Sequence, residues 1–169
     1  MEASEIKKRL EELLSSELVW KIGEKQTGDG WVEIPLEKWT EACRLARDDE
    51  KLLFEFLRAL SGVDRPGENN IELVAHLFSY RHRHAVVLKT KVSRENPVAA
   101  SVCSVWPAAE WYEREIFDLL GVNFREHPDL RRILLPEDWP GHPLRKDYQQ
   151  PASYRGIPTS RPAPEGSAS

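Results

Sequence analysis

Two periods of apolar spacing alternate along this chain, and the switches between them mark its elements. Residues 4–17 carry Ile6, Leu10, Leu13 and Leu14 on one face at helical spacing, with Ser4 placed as an N-cap. Leu18 to Ile22 and Trp31 to Ile34 read as strands, and Lys25-Gln26-Thr27-Gly28-Asp29-Gly30 between them has the turn chemistry of a hairpin. Pro35 ends the second strand because it has no amide hydrogen for the ladder. Leu36 to Arg47 returns to helical spacing through Leu36, Trp39, Cys43 and Ala46. Leu52 to Leu60 is apolar and short, and its pattern does not separate helix from strand.

Asp64-Arg65-Pro66-Gly67-Glu68 has turn composition, and two longer strands are expected after it, from Ile71 to Arg81 and from Ala85 to Val92. In the second, Val86 and Leu88 oppose Val87 and Lys89. Glu95-Asn96-Pro97 marks another turn, and Val98 to Val105 a further strand. Pro107 opens a helix, where its missing N–H costs least; the helix is expected to reach about Leu120 and stop at Gly121. From Asn123 onward prolines and arginines multiply and the period is lost. Gln149 to Ser169 holds four prolines and few large apolar groups. Such a stretch cannot bury enough surface to order itself, so a tail is expected, disordered or extended along a partner.

This order of elements implies an α+β fold: two layers, a mostly antiparallel mixed sheet with helices packed on one face, plus an extended C-terminal segment. It divides the chain into an α+β domain at 1–122, an irregular docking segment at 123–148 and a Pro-rich tail at 149–169. A chain of 169 residues can bury a real core. With 24 basic and 28 acidic residues the net charge is -4, which argues against a general nucleic-acid binder. Cys43 and Cys103 belong to no CxxC pair, so a zinc or iron–sulfur site has no ligand set, and the pattern fits buried thiols in a reducing compartment. No signal-peptide core opens the chain, and no apolar run approaches the ~20 residues of a membrane span. The expectation is a cytosolic protein, or one attached to a membrane only through partners. GxGxxG and GxxxxGK[ST] are absent from the sequence. Trp20, Trp31, Trp39 and Trp106 are expected to pack the core, and Trp111 and Trp139 to face a partner.

The segment from Glu113 to Asp147 narrows the reading. Tyr112, Ile116, Leu119 and Leu120 make the apolar stripe of its helix, and Glu110, Arg114 and Asp118 stand at i, i+4 spacing, where they can pair. An irregular stretch follows with His127, Arg131, Arg132, the anchors Ile133, Leu134, Leu135 and Trp139, and several rigid prolines. Such a chain must satisfy its backbone with side chains or with another protein, and arginine's planar fork suits that task.

The run Glu113-Arg114-Glu115-x-x-Asp118, an apolar pair, six residues, His127, three residues, Arg131, x, Ile133-Leu134 resembles the signature of the 30 kDa subunit (the C-subunit) of respiratory complex I, NADH:quinone oxidoreductase. Gly141-His142-Pro143-Leu144-Arg145-Lys146-Asp147-Tyr148 is similar to the same family's second hallmark. The likeness covers Trp111 to Tyr148; the continuation Gln149-Gln150-Pro151 is a less familiar form. The resemblance implies a non-catalytic subunit of an oxidoreductase and translocase, with no cofactor of its own. NADH, FMN, iron–sulfur clusters and quinone would sit in other subunits. The expected partners are the quinone-site D-subunit and the iron–sulfur B- and I-subunits, on the cytoplasmic side of the bacterial inner membrane. Membrane-bound hydrogenases and ferredoxin-dependent complexes use similar subunits, so the electron donor stays open. Glu113, Arg114, Glu115, Asp118, His127, Arg131, Arg132, Arg145, Lys146 and Asp147 match the family's charged positions and are expected at the partner interface. For each, an intramolecular salt bridge or loop-fixing hydrogen bond is the competing role.

Other constellations are weaker. His82 and His84 would share one strand face with His76, but no third zinc ligand adjoins the pair. The basic run Tyr80-Arg81-His82-Arg83-His84 could protect a strand edge. It could also serve a stand-alone RNA-binding domain, a reading the net acidity opposes. His127 and His142 could act as acid or base with Glu137 or Asp138, yet no nucleophile or phosphate loop accompanies them.

Overall fold

The period-two stretches become strands of one sheet. The computed structural model describes residues 3–15, 19–21 and 30–159. Its elements run α1 (Ala3–Leu14), β1 (Val19–Lys21), β2 (Trp31–Glu33), α2 (Trp39–Asp48), β3 (Phe56–Arg65), β4 (Asn70–Ser79), β5 (His84–Ser93), β6 (Val98–Ala100), α3 (Ala109–Leu120), β7 (Asn123–Arg125), β8 (Ser153–Tyr154) and β9 (Ile157–Pro158). Five strands form a sheet in the order β1-β2-β5-β4-β3. Only β2 and β5 run parallel in it; the other neighbours are antiparallel. The fold is therefore α+β with a mostly antiparallel mixed sheet, as the element order implied.

Register fixes which face is buried. Leu60, Gly62 and Asp64 stand opposite Ala75, Leu73 and Ile71, and Leu73 and Ala75 opposite Thr90 and Leu88. Val32 continues the row beside Leu88. This face meets Ile6, Leu10 and Leu14 of α1, Trp39, Ala42, Cys43 and Ala46 of α2, and Ile116 and Leu120 of α3 in one core. Each fully buried Leu or Ile contributes about 1.5–3 kcal/mol. Gly62 lets α3 come close: a Cβ there would lie 2.4 Å from Leu120 Cδ1 and 3.2 Å from Ile116 Cγ2. The opposite sheet face has no helix over it among the described residues, and Lys89 lies 4.5 Å over the Trp31 ring there. Trp31 thus leaves the expected core, while Trp39 and Trp106 enter it; the side chain of Trp20 lies outside the described residues.

Several boundaries move for local reasons. Ser4 falls inside α1, which already includes Ala3, so it does not cap the helix. The expected hairpin forms, with Trp20 opposite Val32, but its turn lies outside the described residues. A 3-10 turn at Leu36–Lys38 precedes α2. The ambiguous stretch resolves into loop and strand, and β3 continues through the expected turn to Arg65 before a 3-10 turn at Pro66–Glu68. The strand expected from Val98 to Val105 stops at Ala100. There the amides turn to side chains: Val102 N–H donates to Glu113 (2.7 Å) and Cys103 N–H to Ser101 Oγ (3.1 Å). β7 pairs parallel with β6 just beyond residue 122, and β8 and β9 form a short hairpin within the stretch read as tail.

Candidate functional site

The irregular segment after α3 folds back over that helix as a strap, and the helix's own charged face holds it. Glu110, Arg114 and Asp118 share a face by their spacing, but Arg114 and Asp118 turn to the chain that follows rather than to each other, and Glu110 offers it a backbone carbonyl, to His127. Arg114 donates to the carbonyls of Arg131 (3.2 Å) and Arg132 (3.3 Å) and lies 5.2 Å from the centre of the Trp111 ring. One Asp118 oxygen accepts the amides of Ile133, Leu134 and Leu135 at 3.0, 2.8 and 2.9 Å. The other pairs with Arg132 at 2.8 Å, and that guanidinium also reaches the carbonyls of Trp139 and Gly141. The backbone of an irregular segment needs partners, and a buried carboxylate supplies three at once. Burial alone would push the Asp118 carboxyl up; the amides of Leu135, Leu134 and Ile133, with Arg132, outweigh it and hold the group below its ordinary value.

The second hallmark closes the helix end. The last four carbonyls of an α-helix have no partner within the helix itself. Here Phe117 O takes the Gly121 amide, Asp118 O takes His142 Nδ1, Leu119 O takes the Leu144 amide and Leu120 O takes Arg145 Nε. Gly121 is required twice over: its φ is 77°, and a Cβ would lie 2.6 Å from the His142 ring. Arg145 reaches on to the Arg94 carbonyl at 3.2 Å. Arg94 itself pairs with Asp64 (2.6 Å) and Asp147 (2.7 Å), and Asp64 accepts the Lys146 amide (2.8 Å). Neither Asp64 nor Arg94 stands out in the sequence as a strap residue. A signal exists for one of them: Asp64 is a carboxylate at a core-facing position of β3, which demands a cationic partner.

Glu113 belongs to a different network. It is fully buried, and its carboxylate accepts Val102 N–H and the Cys103 thiol (3.4 Å). Burial pushes its carboxyl up and pushes the Cys103 thiol up to about 12. Cys103, Glu113 and His127 bring potential metal-ligand atoms within 4.8 Å of one another. His127 has both ring nitrogens engaged, Nε2 donating to Glu110 O (3.1 Å) and Nδ1 accepting the Asp129 amide (3.0 Å). An ion would have to displace one of these bonds, so the cluster fits a hydrogen-bonded brace better than a coordination shell.

The ten expected interface residues therefore sort into two sets. Glu113, Arg114, Asp118, His127, Arg132 and Arg145 bond inside their own chain. Glu115, Arg131, Lys146 and Asp147 are exposed, Arg131 beside Asp129 (2.8 Å) and Asp147 against Arg94. Apolar Trp111, Leu134 and Leu144 are also left open to solvent, at 59%, 61% and 55%. Trp139 is half-buried, donating to Tyr148 Oη (3.0 Å) and lying 4.8 Å from Tyr154. The basic turn is braced too. His82 and His84 each contact a backbone carbonyl, of Glu50 and Leu52. The pairing register places His76 on the face opposite His84, so the three histidines do not converge.

Fold and strap define a class: an α+β domain that carries a preformed C-terminal strap on its last helix. Residues 32–154 match the family described as respiratory-chain NADH dehydrogenase, 30 Kd subunit, and the chain belongs to that family. It is 48% identical over 121 residues to the NADH-quinone oxidoreductase C-subunit of Roseiflexus castenholzii, covering 71% of this chain and 70% of that protein. Its identity to the corresponding C-subunit of Chlorobium phaeobacteroides is 45% over 122 residues, covering 72% and 74%. Among solved structures, a chain of the membrane-bound sulfane sulfur reductase, an archaeal respiratory membrane complex, matches with a TM-score of 0.71 at 26% identity over 86% of this chain and 85% of that one. The trypsin-resistant fragment (1–134) of Nqo5 matches with a TM-score of 0.60 at 26% identity, over 73% and 97%.

Proposed function

We propose that this chain is a cofactor-free scaffold subunit in the peripheral arm of a proton-translocating NADH:quinone oxidoreductase. It supports electron transfer from NADH to quinone by positioning neighbouring subunits, while NADH, FMN, iron–sulfur clusters and quinone are held by those neighbours. The relatives at 45–48% identity, named as the C-subunit of NADH-quinone oxidoreductase, support the reading. The observation that carries it is the strap on its helix, fixed by their own domain yet offering Trp111 and Glu115 of α3 and Arg131, Leu134, Leu144, Lys146 and Asp147 of the strap outward. A preorganised surface lowers the ordering cost of association. The partners are the quinone-site D-subunit and the iron–sulfur B- and I-subunits, on the cytoplasmic side of the membrane. Attachment to the membrane runs through those partners in this reading; among the described residues no helix is long and apolar enough to cross a membrane.

Arg131→Glu tests this in the complex. Native gels of the variant strain are expected to show reduced peripheral arm assembly, while the purified variant keeps the parent's unfolding midpoint. Normal assembly would overturn the interface role. A second reading rests on the likeness to a chain of the sulfane sulfur reductase complex: an equivalent subunit of a hydrogenase-type or ferredoxin-dependent complex. Gentle-detergent purification of the tagged chain decides between them, by whether NADH-binding subunits or hydrogenase-type subunits accompany it.

A further inference from the structure

β3 is the edge of the five-stranded sheet, and among the described residues it pairs with β4 alone. An edge strand presents a row of unpaired backbone groups, a template for another strand, which proteins usually blunt with charge, bulges or cover. Here the protection is confined to the ends. The register shifts between Leu57 and Ala59, Arg58 and Arg65 flank the strand, and Ala59 to Val63 between them is uncharged. α3 crosses over this strand at Gly62 without sealing its edge. A groove of about 290 Å3 remains beside it, walled by Leu60 and Gly62 of β3, Tyr112, Ile116 and Leu119 of α3, and Leu144 of the strap. Tyr112 Oη donates to the Arg58 carbonyl (3.1 Å), which closes one end. The exposed Leu144 forms the other wall, so the groove runs into the outward surface of the strap. Glu115 stands at the rim, exposed and without an ion-pair or hydrogen-bond partner for its carboxylate among the described residues.

We propose that this groove receives an extended segment of a neighbouring subunit, which adds beside β3 as a sixth strand. It sets an apolar side chain between Leu60, Ile116 and Leu144, and directs a Lys or Arg to Glu115. The chemistry of the walls selects this occupant: unpaired strand edge calls for extended backbone, the apolar floor for an aliphatic side chain, and the lone carboxylate for a cation. In strand addition, main-chain hydrogen bonds give affinity and alternate side chains give specificity. The inference rests on the docking role and names a partner surface for it.

A photo-crosslinking residue at Ser61 in the assembled complex tests it, with the same probe at Arg131 as the control for docking. Ser61 is exposed and points to the sheet face away from α3, so the probe flanks the groove without filling it. The expected product joins Ser61 to an extended segment of another subunit that contains a Lys or Arg. Glu115→Lys is then expected to cut retention of the chain in the complex about tenfold, with recovery when that basic residue is changed to Glu. Crosslinks at Arg131 but none at Ser61 would overturn the groove and leave the docking role standing. A Ser61 crosslink to residues 160–169, to a second copy of this chain or to a helix would overturn it as well. Crosslinks at neither position would remove both.

Discussion

At Asp118 the amides of three consecutive residues converge on one carboxylate oxygen while the other takes a guanidinium. Removing that carboxylate leaves three amides without their acceptor and Arg132 without its charged partner, held only by backbone carbonyls. Asp118→Ala is therefore expected to cost about 3–5 kcal/mol in urea denaturation, the range for breaking a buried charged pair; an unchanged midpoint would contradict the assigned role. The same group sets an acid limit. Its folded value lies below the ordinary one, so its contribution is complete above the unfolded value of about 3.9. It is lost as pH falls from there through the folded value. Asp64, also held low against the opposing effect of its burial by Arg94 and the Lys146 amide, titrates in the same sense. Tryptophan fluorescence, to which the strap residue Trp139 contributes, should change below about pH 4 in the parent, and Asp118→Asn should shrink that transition, leaving what Asp64 and the other strap carboxylates held low, Asp129, Asp138 and Asp147, contribute; an undiminished transition would contradict the assignment. Glu113 has the opposite sign: its raised value means the folded state holds the extra proton, so its contribution weakens as pH rises through the interval above the unfolded value. Glu113→Gln keeps an acceptor for Val102 N–H and should lie within about 1 kcal/mol of the parent near pH 8, whereas Glu113→Ala should lose about 1–3 kcal/mol. A larger loss for Gln than for Ala would refute that assignment.

Among the elements, α3 links sequence to site most closely. Its start near Pro107, its stop at Gly121 and its apolar stripe were legible, because caps and helical spacing are local signals. The destination of its charged face was not legible. The spacing of Glu110, Arg114 and Asp118 suggests pairing along the helix, yet a strap up to 25 residues downstream, at Arg145, claims the helix end. Only tertiary structure brings those groups together. Val98 to Val105 failed as a strand for a related reason: Glu113 and Ser101 captured amides that a ladder would have used. Gly121 couples helix end and strap. Gly121→Ala would place a Cβ on a residue at φ 77° and against the His142 ring. The expected loss is at least about 1–2 kcal/mol from the backbone term alone, read as a lower thermal midpoint. Gly67→Ala, with nothing within 4 Å of its Cβ, is the matched control and should change little.

Over the whole molecule, four strands of the sheet and most of the core were readable from alternation and turn residues, and the strap from its arginines and prolines; the fifth strand, β3, lay where the pattern did not separate helix from strand and ran on through an expected turn. What sequence could not give was the division of labour within the strap. Arg131 and Arg132 are adjacent and of the same type, but one faces solvent beside Asp129 and the other is locked to Asp118. Arg145 likewise braces the helix end, so reversing its charge should disturb the fold as well as assembly, and it cannot isolate the docking role as Arg131 can. The central claim is that the strap is held by its own domain before any partner arrives. Amide hydrogen exchange on the full-length chain free of partners tests it most directly, at Ile133, Leu134, Leu135, Leu144 and Lys146, whose amides have acceptors in Asp118, Leu119 and Asp64. The expected result is protection of all five well above an unfolded chain; exchange of these amides at unfolded-chain rates, with the sheet still protected, would contradict it.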